Sequence, residues 1–86
     1  MIKEVFDTIE RFLNDEYDAL DFSFKFPEFL IIAYDEIDKE NAEVNNILND
    51  NIPEICADYE MGQPADEFKE KIKTEYKKCR DAMKIS

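Results

Sequence analysis

A chain of 86 residues with 22 acidic side chains, 11 basic ones and no histidine has a formal net charge of −11, which excludes general nucleic-acid binding because such a surface repels phosphates. The length supports one hydrophobic core, hence one domain over residues 1–86. Seven Phe and four Tyr supply the large apolar surface that disordered acidic chains lack, and one Gly with three Pro is too few for the turns of an all-β fold.

The first predicted helix carries Ile2, Val5, Phe6, Ile9, Phe12 and Leu13, whose steps of three and four place them on one face. Asn14-Asp15-Glu16 breaks that pattern. Asp18 or Asp21 is placed to cap a second helix, in which Ala19, Phe22, Phe26, Phe29, Leu30, Ala33 and Ile37 continue the period. Pro27 implies either a kink or a helix beginning near Phe26. Phe22 to Phe26 also alternates like a strand, but an isolated strand would have no partner, so helix is preferred.

A third region follows Lys39-Glu40-Asn41 and carries Val44, Ile47 and Leu48. Asn49-Asp50-Asn51 offers capping side chains, and Pro53 suits the first turn of a renewed helix through Ile55, Cys56 and Tyr59. The region reads as one bent helix or two short ones. Gly62-Gln63-Pro64 is the clearest boundary. A last helix from Pro64 or Ala65 carries Phe68, Ile72, Tyr76, Cys79 and Met83 on its apolar side and lysines on its polar side. The expected fold is all-α, a small single-domain bundle of three to four amphipathic helices.

Charge is unevenly spread. Residues 1–68 hold nineteen Asp and Glu against four Lys and Arg, a net of −15, and residues 69–86 hold seven basic residues against three acidic, a net of +4. The basic stretch suits a structural role, since its acids are interleaved and lysine near a helix C-terminus complements the dipole. The longest apolar stretch, Phe29 to Tyr34, falls far short of the roughly 20 residues of a membrane span. The first residues have no signal-peptide pattern. Cys56 and Cys79 lack metal or redox spacing and read as reduced core thiols of a cytoplasmic protein.

The inventory for catalysis is poor. Without histidine the chain lacks the commonest general base and metal ligand. Ser23 and Ser86 have no base partner, and neighbours Lys78 and Arg80 point away from Cys79 on a helix. The acidic run through Asp35, Glu36, Asp38 and Glu40 lacks the alternating ligands and central Gly of a calcium loop. Gly62 alone makes no phosphate loop. The expectation is a non-enzyme with no cofactor and no metal.

Electrostatic recognition of a basic protein partner remains. Candidate contacts are acids clustered around aromatic residues at segment ends: Asp35, Glu36 and Asp38 beside Tyr34, and Asp58, Glu60, Asp66 and Glu67 around Tyr59 and Met61.

The N-terminal helix, the stretch from Phe12 to Phe22 that enters the second helix, the segment from Ile52 to Glu60 and the closing helix from Phe68 resemble the small immunity proteins of the colicin D type, including those paired with contact-dependent growth-inhibition toxins. The resemblance covers most of the chain and is one of pattern, without a diagnostic motif. It implies a cytoplasmic antidote that covers the basic cleft of a tRNA-cleaving toxin domain, with inhibitory contacts between Asp58 and Glu67. Two alternatives share the acidic helical character. An acyl-carrier protein requires an exposed Ser in an Asp-Ser-Leu context, which Ser23 between Phe22 and Phe24 does not provide. A nucleic-acid mimic would target a DNA-binding protein.

Overall fold

In a computed structural model, residues 1–85 are described, Ile85 by its backbone alone; Ser86, weighed above as a nucleophile, lies outside the described residues. The chain forms six helical segments and no strand among the described residues: α1 (Ile2–Leu13), α2 (Ala19–Ile32), α3 (Tyr34–Glu40), α4 (Ala42–Asp50), α5 (Ile52–Asp58) and α6 (Ala65–Ile85). The all-α bundle is therefore as the periodicity predicts, with the expected second helix divided into α2 and α3 and the third region forming two short helices, α4 and α5, one of the two forms it allowed.

Helix α1 buries Ile2, Val5, Ile9 and Phe12 on one face. It ends at Asn14, and Asp15 takes the left-handed conformation at φ 65° that Asp tolerates better than most residues. The N-cap of α2 is Asp18, whose carboxylate accepts the Asp21 N–H at 3.2 Å. Pro27 lies inside this helix, so the Ser23 carbonyl loses the N–H that would normally donate to it. Ala33 separates α2 from α3 by a single residue, and its own N–H still donates to the Phe29 carbonyl at 2.9 Å. No sequence breaker marks that step.

Asn41 starts α4 by accepting the Val44 N–H at 3.1 Å. Asn51 precedes α5 but makes no side-chain cap; its amide instead donates to Glu75 Oε1 at 3.3 Å, which corrects the capping role expected of it. The chain turns at Gly62, φ 88°, into α6, whose 21 residues extend about 31 Å at 1.5 Å each along a molecule 38 Å long. Helix α6 packs against α1, α4 and α5, while α2 lies on α5 and α3 on α4.

The core includes a run of rings. Phe12 stacks on Phe22 at 4.0 Å, Phe22 on Phe26 at 4.7 Å, and Phe68 reaches Phe12 at 5.2 Å. Along α6 the buried residues are Phe68, Ile72, Glu75, Tyr76, Cys79 and Ala82, whereas Met83 is exposed. The expectation of Met83 in the core is corrected, because the four-three alternation running 68, 72, 75, 79 brings Ala82 inward next.

Candidate protein-binding surface

Three buried polar side chains, Ser23, Asn45 and Glu75, show how the bundle satisfies polar groups before any are available to a partner. The Ser23 hydroxyl donates to the Leu20 carbonyl at 2.6 Å, so it is turned into its own helix, away from solvent. Asn45 donates to Asp38 Oδ1 at 3.4 Å and accepts from Asn49 at 3.0 Å. The Glu75 carboxylate, 7% exposed, accepts from Lys78 Nζ at 2.9 Å as well as from Asn51. That hydrogen bond raises the Lys78 pKa.

The basic helix is tied to the acidic body. Lys69 pairs with Asp15, and Arg80 lies 3.8 Å from Glu10. Between them Tyr76 donates its hydroxyl to Glu10 and accepts from Arg80 Nη1 at 3.1 Å. Burial first, and then the bond to Glu10, raise the Tyr76 pKa. Phe6 meets the Tyr76 ring edge-on at 5.2 Å. Four interactions thus join α6 to α1 and the loop after it.

Of the residues singled out from sequence, Asp58, Tyr59 and Glu67 converge. With Ile55, Gln63, Pro64, Phe68 and Lys71 they line a cleft of about 290 Å³ between the end of α5 and the start of α6. Its occupants are partly committed. Tyr59 stacks on Phe68 at 4.6 Å and donates its hydroxyl to the Gln63 carbonyl at 2.9 Å, so it shapes the cleft and does not stand free as an anchor. Glu67 pairs with Lys71 at 3.5 Å. Asp66 and Glu67 occupy the first turn of α6, where the helix dipole already favours acids. Asp58, Glu60 and Asp66 are exposed.

Tyr34, Asp35, Glu36 and Asp38 do not line that cleft. They sit on α3, immediately beyond α2, with Tyr34 45% exposed. Asp38 is engaged with the buried Asn45, which makes it a link between α3 and α4.

No protein-family model, curated protein or solved structure matches the chain.

A feature of α2 falls outside every residue expected to bind. Its inner face buries Phe22, Ser23, Phe26 and Leu30. Its outer face leaves Phe24, Ile31 and Ile32 exposed at 70, 74 and 79%. At 100° per residue, Phe24 and Ile31 lie about 20° apart, with Glu28 between them along the axis. A legible signal existed: these three residues are among the apolar ones left over when the core stripe of the second helix is drawn.

The remaining chemistry is limited. No group of three or more Cys, Asp or Glu is placed to hold a metal ion among the described residues. Burial pushes the Cys56 and Cys79 thiols up to about 12, far from the range of an active nucleophile. No helix among the described residues is long and apolar enough to cross a membrane.

Proposed function

We propose that this chain is a protein-binding inhibitor, an immunity protein that neutralises a basic nucleic-acid-cleaving toxin domain by laying an acidic surface over its cleft. The observation that carries the reading is the division of charge within the fold. Four of the seven cations of α6, Lys69, Lys71, Lys78 and Arg80, are spent on internal pairs with Asp15, Glu67, Glu75 and Glu10. Asp35, Glu36, Asp58, Glu60 and Asp66 stay exposed without an ion pair among the described residues. A field of this sign steers a basic partner inward and discourages nucleic acid.

The test is co-expression of the chain with the C-terminal domain of the protein encoded immediately upstream of its gene, the place expected of a cognate toxin, scored by survival and by the affinity of the purified pair. Survival is expected, with a complex that weakens as salt rises. Joint substitution of Asp58→Lys, Glu60→Lys, Asp66→Lys and Glu67→Lys is expected to slow association and abolish protection. Survival that never depends on the chain overturns the proposal.

A further inference from the structure

We infer that the outer face of α2 is a second docking surface for this partner, beside the acids between Asp58 and Glu67, and that the partner is a basic protein that brings an apolar patch of its own ringed by Lys and Arg. The inference deepens the function proposed above and rests on it for the partner's being a protein.

A helix with apolar side chains on two faces ordinarily has both of them covered. Here α5 and the core cover only the inner face of α2. Phe24, Ile31 and Ile32 stay in water, half-buried Leu20 and Pro27 extend the strip along one edge, and Tyr34 continues it at the end. Exposed apolar side chains gathered on one face of a small, highly charged protein mark an interaction site.

Charge decides what covers it. Asp21 and Asp35 lie beside the strip and Glu28 within it, all exposed. The single cation on α2, Lys25, is held by Asp21 at 3.2 Å. The border is therefore acidic and selects a basic rim opposite.

A second copy fits poorly. Residue 28 is the midpoint of Phe24 and Ile32, so a two-fold axis there sets Phe24 against Ile32 in two antiparallel α2 helices. The same register sets Glu28 against Glu28, like charges at the axis, and Ile31 against Lys25, an apolar side chain against a cation. An anionic membrane is repelled by the same border.

The experiment uses the full chain and two 16-residue helical probes of matched pattern, one of Leu and Lys and one of Leu and Glu, titrated by fluorescence anisotropy. The expected result is salt-dependent binding of the Leu/Lys peptide alone, with amide shifts confined to α2 and Tyr34. The double variant Phe24→Ser/Ile31→Ser is expected to lose at least about tenfold in affinity with unchanged helical circular dichroism. Glu28→Lys/Asp35→Lys is expected to lose binding too. Peptide binding that survives Phe24→Ser/Ile31→Ser overturns the inference. So does a dimer of the chain that this variant dissociates, or binding to anionic phosphatidylserine vesicles. Loss of peptide binding with toxin protection intact removes the α2 surface and leaves the proposed function standing. Peptide binding through α2 without protection from the toxin does the reverse.

Discussion

The three phenylalanines at 22, 24 and 26 give the sharpest test of how this chain folds. In a strand, alternate residues share a face, and all three would be equally buried or equally exposed. In α2 the i, i+4 pair Phe22 and Phe26 points into the core and stacks, ring to ring, at 4.7 Å, while Phe24 is 70% exposed. Truncating a buried Phe to Ala costs about 3 to 5 kcal/mol from lost transfer energy and the cavity left behind. A chain of this length has roughly 4 to 13 kcal/mol in total, so Phe22→Ala or Phe26→Ala removes a large share of it. Phe24→Ala is expected to change stability by no more than about 0.5 kcal/mol, with a tilt toward stabilisation because Ala is the better helix former. Urea unfolding followed at 222 nm reads the difference directly. With a slope near 1 to 1.5 kcal/mol per molar, the core variants shift the midpoint by roughly 2 M or more, and Phe24→Ala by under about 0.5 M. Equal losses at all three positions would refute the helical register of α2 and with it the exposed apolar face.

Three further outcomes follow from groups inside the bundle. The Cys56 and Cys79 thiols, raised by burial from 9.0 to about 12, stay protonated in the fold while the unfolded chain ionises near 9.0. Their contribution to stability is thus complete below pH 9 and is lost as pH rises from 9 toward 12, by about 1.4 kcal/mol per unit for each thiol. Urea midpoints at pH 8, 9.5 and 10.5 should fall, less steeply in Cys56→Ala, and iodoacetamide should label neither thiol until the chain unfolds. Asn51→Ala leaves the buried Glu75 carboxylate with Lys78 as its one remaining partner and should cost about 1 to 3 kcal/mol by thermal or urea denaturation. Glu75→Leu, which removes the buried charge outright, should be neutral or stabilising. Tyr59→Phe loses the hydrogen bond to Gln63 and should cost about 0.5 to 1.5 kcal/mol. Tyr59→Ala also loses the stack on Phe68, and its larger loss should appear in unfolding curves before any binding assay.

Elements with a clean period were legible in the sequence. The face of α1 is the one its spacing draws, Asp18 caps α2, and α6 begins after Gly62-Gln63-Pro64. The break at Ala33 was not legible, because alanine carries no turn chemistry and the backbone hydrogen bond to Phe29 passes through it. Glu75 was hidden for a different reason. Its burial depends on Asn51, 24 residues earlier, and a carboxylate flanked by lysines reads locally as solvated. Asn45 is similar, held by Asp38 and Asn49 at a position where Val44 and Leu48 alone suggest a core. Among the candidate contacts, Asp58, Tyr59 and Glu67 do meet in one cleft. What spacing could not reveal is that Tyr59 and Asp38 already have structural duties.

That distribution of surprises bears on function. Where a sequence serves only its own fold, local pattern and tertiary packing agree, and disagreement is expected at sites selected for something else. Buried Glu75 and Asn45 are disagreements the bundle resolves internally, since each finds hydrogen-bond partners. Phe24, Ile31 and Ile32 are not resolved in that way, for they stay largely exposed among the described residues. Polar substitutions there would leave the core untouched and remove an aggregation hazard. A partner that removes those side chains from water would offset the hazard, and the acids at 21, 28 and 35 would favour one with basic residues around an apolar centre, as inferred above.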